Sequence, residues 1–385
     1  MTIGEVALHL CDGSHNPPVG IDFSEYPMLS SKNIFFDSYD YSEPRYLTKE
    51  QFDIENKRTN VSDGDILLTI VGTIGRVCCI KEPFQPFTLQ RSVAVIKPNK
   101  NIIISRYLMY CLCGLNAYFN KEAKGVAQKG IYLKQLSKIS IPVPPLQEQE
   151  RIVAELDLLT GVIDKQKQQL KELDTLAQSI FYDMFGNPVD NEKGWKTCRL
   201  ESIIQVKGRV GWKGYKKEDL RDSGALAIGG GHLTNSGEID LSEPVYLSME
   251  KYEESPEIMI ETGDLILVQR GTIGKVGLVR TDIGQATINP CVLILRPKTI
   301  NNVYALHFFL NSNMQEHLKT LIRGVAQPMI TQQQVNSLCV PIPPSEQQEV
   351  FAQRVQAIES QKQSINRSLA ESQKLFDYTM DKYFG

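Results

Sequence analysis

The 385-residue sequence predicts an α+β chain in which two similar mixed α/β domains are separated by two long helices. The helices are expected to form an antiparallel coiled coil within an internal pseudo-two-fold repeat. The first observation behind this is repetition. "GDILLTIVGTIGRVCCI" at 64–80 recurs as "GDLILVQRGTIGKVGLV" at 263–279, identical at 8 of 17 positions with an offset of 199. The same offset carries "GVAQKGIYLKQLSKISIPVPPLQEQE" (125–150) onto "GVAQPMITQQQVNSLCVPIPPSEQQE" (324–349), and Met184-Phe185-Gly186 onto Tyr383-Phe384-Gly385. Upstream, "SEPRYL" at 42–47 returns as "SEPVYL" at 242–247, so a single small indel separates two copies that otherwise keep register. The second observation is a change of hydrophobic period inside each copy, and the third is a sustained 3–4 spacing at its end.

In order along the chain, residues 1–145 form the first domain. Apolar β-rich runs such as "DILLTIV" and "VAVIKP", punctuated by Gly and Pro, read as strands, and "RYLMYCLCGLNAYFN" reads as a helix. The domain closes on "IPVPP" (Ile141 to Pro145), and the second copy on "VPIPP" (Val340 to Pro344). Proline lacks an amide donor and fixes φ, so both are sharp exits. A long helix follows over 146–187, opened by Gln147-Glu148, with an acid in the first turn suiting the helix dipole. The second domain spans 188–344, and the second long helix, opened by Glu346-Gln347, spans 345–385.

In the first helix Leu156, Leu159, Ile163, Leu170, Leu173, Ala177, Ile180 and Met184 fall on heptad a and d positions, with Gln166 the polar entry. Their equivalents are Val355, Ile358, Lys362, Ile365, Leu369, Ser372, Phe376 and Thr379. This is a coiled-coil seam whose polar interruptions fix register and partner more than they add stability. A core helix of one globular domain is the alternative, but helices of roughly 36 residues reach about 54 Å, too long for a domain of this size.

Composition bounds the function. No apolar run approaches a membrane span, and "MTIGEVALHL" has neither a basic lead nor a long apolar core, so the expectation is a cytoplasmic protein with no membrane role. The eight cysteines include one C-x-C (Cys111, Cys113), one adjacent pair (Cys78, Cys79) and no C-x-x-C, which suggests reduced, mostly buried side chains rather than zinc or disulfides. A formal charge of −3 argues against nucleic acid until its distribution is considered. Residues 1–145 carry 16 basic and 14 acidic side chains and 191–345 carry 17 and 16, whereas 146–190 carry 4 and 9. Lys207, Arg209, Lys213, Lys216 and Lys217 form a run without an acid, and Lys121, Lys124, Lys129, Lys134 and Lys138 are diluted only by Glu122.

Catalytic motifs are present only in fragments. Asn16-Pro17-Pro18 supplies three of the four residues with which amino-methyltransferases hold a flipped adenine, but Val19 stands where the stacking aromatic belongs. The nearest glycine-rich turn, "LAIGGGHL" (226–233), lacks the helical pattern and later carboxylate of a cofactor loop. "RGTIGKV" (270–276) resembles a phosphate loop, yet Gln269 and Val276 occupy positions that need Gly and Ser or Thr, so a hairpin turn is expected. Glu122-Ala123-Lys124 mimics a nuclease E-x-K without a preceding strand and paired acid. His15 and His232 have no Cys or second His nearby, so neither a metal nor a cofactor is expected.

Two variable domains, each followed by Pro-Pro-x-x-x-Gln entry into a long helix ending in aromatic-Gly, resemble the specificity subunit of type I restriction-modification systems. The repeated "GTIG", "GVAQ" and "P-x-P-P-x-x-x-Q" elements carry the resemblance over essentially the whole chain. It implies two target-recognition domains that bind a bipartite, asymmetric double-stranded DNA sequence, and helices that act as spacer and platform for two modification (methyltransferase) subunits. Restriction (motor nuclease) subunits join to cut, and the specificity subunit itself catalyses nothing. One departure stands out: the second copy enters through "GWKTCRL" (194–200), whereas the first starts at Met1 without such a lead-in, which leaves its first strand in question.

Direct readout favours Arg or Lys on guanine and Asn or Gln on adenine, with Lys, Arg, Ser, Thr and Tyr on the backbone. The candidate DNA-contacting residues of the first domain are Ser14, His15, Asn16, Lys32, Asn33, Arg76, Gln90, Arg91, Lys129 and Tyr132. Those of the second are Lys207, Arg209, Lys213, Tyr215, Lys216, His232, Asn235, Arg270, Lys275 and Gln327. The competing readings are a single-chain adenine methyltransferase, which needs a cofactor pocket, and a scaffold that uses only its helices and needs no basic loops.

Overall fold

The computed structural model describes residues 1–123, 130–209, 215–324 and 327–385. Contacts divide the chain into two compact units, residues 1–165 with 368–385, and residues 166–367.

In the first unit a four-stranded antiparallel sheet has the order Ala7–Asp12, Val93–Pro98, Ile66–Thr69, Val77–Cys79. Ile66–Thr69, Val77–Cys79 and most of Val93–Pro98 read as apolar runs because both faces are covered there, whereas the edge strand Ala7–Asp12 exposes Leu8 and His9. Ile66, Leu68, Val77, Ala94 and Ile96 enter a core shared with the domain helix and the long helices. Their alternates Leu67, Cys78, Val93 and Val95 enter a second core on the other face. This division follows from the two-residue period of a strand. The second unit repeats the arrangement with the order Ile204–Lys207, Val292–Pro297, Leu265–Val268, Val276–Leu278. Leu265, Leu267, Leu293 and Leu295 face one core, and Ile266, Val268, Val292 and Ile294 face the other. Each unit adds a small mixed sheet with one parallel pairing, Pro27–Leu29 with Thr88–Leu89, and Ala225–Ile228 with Ala286–Ile288.

The segment read as one helix is two, Ser105–Gly114 and Asn116–Glu122, with Leu115 between them at φ −84°, ψ 5°. Gly114 belongs to packing, since a Cβ there would lie 2.8 Å from that of Phe384. The Asn116 amide reaches away from the helix to donate to the Gly75 carbonyl at 3.1 Å. In the second unit Asn302–Leu310 and Ser312–Thr320 break at Asn311, whose side chain caps the second of them. The repeat contains more than one indel. The Tyr107 hydroxyl donates to the Pro142 carbonyl and the Tyr304 hydroxyl to that of Pro341, so this helix is offset by 197 while the proline exit is offset by 199.

The questioned first strand is reduced to a bridge. Thr2 pairs with Ser140 and the Met1 carbonyl accepts from Ile141, where the second unit pairs all of Lys196–Arg199 with Cys339–Ile342.

The long helices run from Leu146 to Phe185 and from Ser345 to Phe384, 40 residues each. Within each unit they pair antiparallel. In the first, Tyr383 donates to Glu155 at 2.7 Å and accepts from Arg151 at 3.1 Å. In the second, Phe181 meets Phe351 with ring centroids 5.6 Å apart, and Lys362 meets Asp174 at 2.9 Å. Every proposed seam position is buried or half-buried: Leu156, Ile163, Ala177, Val355, Ile358 and Phe376 are buried, and Leu159, Leu170, Leu173, Ile180, Met184, Ile365 and Leu369 half-buried. The polar entries Lys362 and Thr379 are buried as well.

The motif glutamines explain how the proline exits hold. Gln149 is fully buried; its Oε1 accepts from Ile104 N at 2.9 Å and its Nε2 donates to the Ile102 and Pro144 carbonyls at 3.0 and 2.8 Å. Gln348 likewise accepts from Asn301 N and donates to Pro343 at 2.9 and 2.8 Å. Each amide pins the start of a long helix to the segment entering the domain helix, satisfying backbone groups of that segment and one carbonyl of the proline exit. Of the eight free cysteines, Cys11, Cys78, Cys79 and Cys111 are buried, three are half-buried and Cys339 is exposed.

Candidate nucleic-acid interface

The "GTIG" segments are hairpin turns. Gly72, Gly75, Gly271 and Gly274 have φ of 83°, 89°, 85° and 91°, the left-handed region that excludes most side chains. They connect Ile66–Thr69 to Val77–Cys79 and Leu265–Val268 to Val276–Leu278. A side-chain amide from the following helix braces each turn: Asn116 on the Gly75 carbonyl at 3.1 Å, Gln315 on that of Gly274 at 2.9 Å. Neither amide stood out in the sequence, although the two recur at the offset of 199.

Around the first turn several loops converge. Ser14 N donates to the Leu89 carbonyl at 2.7 Å and Arg91 N to that of Ser14 at 2.9 Å, so Ser14, itself buried, pairs with half-buried Gln90. Asp12 is held by Arg58 through carboxylate and backbone carbonyl, and its other oxygen lies 2.8 Å from His15 Nε2. His15 and Asn16 are exposed beyond it. Ile131 N donates to the Ile70 carbonyl, and His15, Arg91 and Tyr132 then line one cleft with Asp12, Ile70 and Val71. Tyr132 is 68% exposed, which leaves its ring free to meet a ligand.

Next to this cleft the loop at 31–35 is fastened by Ser31 N on Ser92 Oγ at 3.0 Å and by Thr73 Oγ1 on the Ser31 carbonyl at 3.2 Å. Lys32 is exposed, 3.5 Å from Glu43. Arg76 lies 5.1 Å over the Phe35 ring and donates to the Ile34 carbonyl.

In the second unit Arg209 stacks 4.3 Å over the Tyr215 ring, and the Tyr215 hydroxyl donates to the Ile288 carbonyl at 2.8 Å. Burial raises the pKa of that phenol, keeping it a neutral donor. Lys207 is half-buried at the end of its strand, and exposed Lys216 pairs with Glu218 at 2.8 Å. Lys275 reaches the Leu233 carbonyl at 3.4 Å, Arg270 bridges to Met329, and Asn235 and Gln327 are exposed. Lys129 and Lys213 lie outside the described residues.

Asn33 and His232 have the same structural task. Asn33, 1% exposed, accepts from Ser30 N at 3.0 Å and donates to the Ser42 carbonyl at 2.8 Å. His232 Nδ1 accepts from Gly229 N at 2.9 Å, which places the ring proton on Nε2, 3.3 Å from the Glu243 carbonyl. Both brace a loop whose neighbours, Lys32 and Asn235, point outward.

The Asn-Pro-Pro turn is engaged internally. Arg45 donates to the Pro17 and Pro18 carbonyls at 3.2 and 2.7 Å, occupying the acceptors that a base amino group would use. Among the described residues no group of three or more His, Cys, Asp or Glu side chains is placed to hold a metal ion, and no helix is long and apolar enough to cross a membrane.

Known proteins match this architecture. The family model described as "Type I restriction modification DNA specificity domain" matches residues 24–175 and 192–372. The MjaVIII specificity subunit of Methanocaldococcus jannaschii is 22% identical over 334 residues, 80% of this chain and 75% of that protein. The EcoBI specificity subunit of Escherichia coli is 24% identical over 334 residues, 78% of this chain and 69% of its own length. The crystal structure of an S subunit from M. genitalium superposes with a TM-score of 0.56 at 15% identity, covering 100% of this chain and 95% of that one, a likeness of fold.

Proposed function

The chain belongs to the family of type I restriction-modification DNA specificity proteins, and from that premise we propose that it reads a bipartite, asymmetric duplex DNA target, one half with each unit. It does so as a non-catalytic cytoplasmic subunit, with two modification subunits docked on its helices and restriction subunits joining them. The observation that supports this reading is the pair of turn-centred faces. Both units present loops around a glycine hairpin braced by an amide, yet the side chains differ: His15, Asn16, Lys32, Arg91 and Tyr132 against Arg209, Lys216, Asn235 and Gln327. A common frame with different contacting groups suits two unlike half-sites read by direct contact. Asn33 and His232 then act by holding the loops rather than by touching bases.

The chain has three more acidic than basic side chains, so the basic contacts are local and the partners complete the clamp on phosphate. Methylation mapping in cells carrying this chain and its cognate modification subunit tests the proposal. Two constant half-sites around an unspecified gap are expected, and replacing residues 1–140 by the matching domain of another family member should change one half only. Altered methylation in both halves, or none that depends on this chain, would refute it.

A further inference from the structure

Each unit holds a loop carboxylate to a long-helix carboxylate through one largely buried cation. In the first unit the loop residue is Asp37, at φ 49°. The Arg106 guanidinium donates to both Asp37 oxygens at 3.0 and 2.8 Å, and its Nε to both Asp157 oxygens at 2.8 and 2.9 Å. The Arg106 side chain is 16% exposed, and the adjoining Phe36 ring lies 6.0 Å from that of Phe376 on the second long helix. In the second unit the loop residue is Glu238, following Gly237 at φ 88°. Lys362 Nζ lies 3.5 Å from Glu238, 2.9 Å from Asp174 and 3.3 Å from Glu359, with its side chain only 7% exposed.

The cations are not copies of each other. Ile163 occupies the repeat position of Lys362, and Val303 that of Arg106. One cation comes from the domain helix and the other from the long helix, yet both make the same connection. Each held loop adjoins a candidate DNA contact, Lys32 in the first unit and Asn235 in the second. The Asp40 amide ties this loop back to Asn33, beside Lys32. Thr234 N donates to the Glu238 carbonyl and Glu238 N to Thr234 Oγ1, each at 3.0 Å, closing the turn that exposes Asn235.

We propose that Arg106 and Lys362 are positioning residues, each holding the recognition loop of its own unit in a fixed attitude to the long helices. This rests on the DNA-reading role above. Buried ionic links of this kind add little net stability, because desolvation offsets their attraction, but they select one geometry when all partners are present.

The test uses the full chain assembled with its cognate modification subunits and duplexes carrying single mismatches in one half-site. Asp37→Asn suits the left-handed backbone and removes only the charge; it should reduce mismatch discrimination about tenfold in the first domain's half-site and leave the other half within twofold. Glu238→Gln and Lys362→Met should do the reverse, with Lys362→Arg restoring discrimination. Discrimination within twofold of the unaltered chain in both halves, or equal loss in both, would overturn the positioning role. An unaltered complex that selects no bipartite sequence would overturn the DNA reading together with it.

Discussion

In the first unit the joint between domain and long helix is built from Arg106, Tyr110 and Asp157, whereas the second unit fills it with His307, Phe181 and Phe351. The Tyr110 hydroxyl donates to Asp157 at 2.6 Å. Its repeat counterpart His307 stacks on Phe181 and meets Phe351 edge-on, with centroids 6.5 and 5.1 Å away. Around these unlike joints the same braces recur: a buried glutamine at the proline exit, an amide on the glycine hairpin, and a buried aspartate, Asp65 or Asp264, paired with Lys97 or Arg296. Backbone groups that cannot reach water must find partners, and any two copies of one topology leave the same groups unpaired. Side chains at the joint need only fill volume and satisfy one another, so they are free to diverge.

Acid should break the symmetry most strongly. Burial, then the charges of Arg280 and Lys362, lower the His307 pKa to about 3. A folded-state pKa below the unfolded value means stability is complete above about pH 6.5 and is lost as pH falls towards 3, at about 1.4 kcal/mol per unit. The second unit should therefore lose hydrogen-exchange protection first on acidification, and His307→Leu should remove that early loss. Tyr110 has no such transition, so simultaneous loss in both units between pH 6.5 and 5 would show that His307 is not responsible.

Removing a shared brace gives a smaller, graded difference. Gln149→Ala leaves one donor and two acceptors unpaired and should destabilise by about 3 kcal/mol, against about 2 kcal/mol for Gln348→Ala, which frees one of each. Denaturant titration followed in each unit separately would expose a wrong ordering. Asn116→Ala and Gln315→Ala remove the hairpin braces, together with the bond Asn116 accepts from Asn120 and the one Gln315 donates to the Phe309 carbonyl, and should each cost about 1–2 kcal/mol, seen as faster amide exchange in the glycine turns. The smallest effect concerns DNA. Arg91→Ala should lower the log–log salt slope of the complex by at most about 0.9 unit if it contacts phosphate, and Lys216→Ala by less, since Glu218 already neutralises it. Equal slopes for the two variants would count against a contact at Arg91.

The repeat, the strands within "DILLTIV" and "VAVIKP" and the hairpin character of "GTIG" could be read from the sequence. Each is written in a local period or in spacing along the chain, which survives without any knowledge of what packs where. Contacts across the fold were less legible. Asn33 and His232 resemble base-reading side chains by type, yet a turn three residues long engages each internally. Gln149 could be recognised as a motif position, but not as a fully buried brace, because its partners Ile102 and Ile104 lie more than forty residues away.

Sequence alone determined that the chain has two copies of one plan, each ending in a long helix with a mostly apolar 3–4 spacing and a few polar interruptions. Only the tertiary structure decided which polar groups face water and which are consumed in holding a loop. It placed His15, Arg91 and Tyr132 around one cleft from three separate segments, and it gave Lys362 three carboxylates at a seam position where its repeat partner is isoleucine. The physical reason is that burial depends on the neighbours that folding supplies. A residue type carries its hydrogen-bonding capacity wherever it stands, whereas the partner that uses it is chosen by the approach of distant backbone.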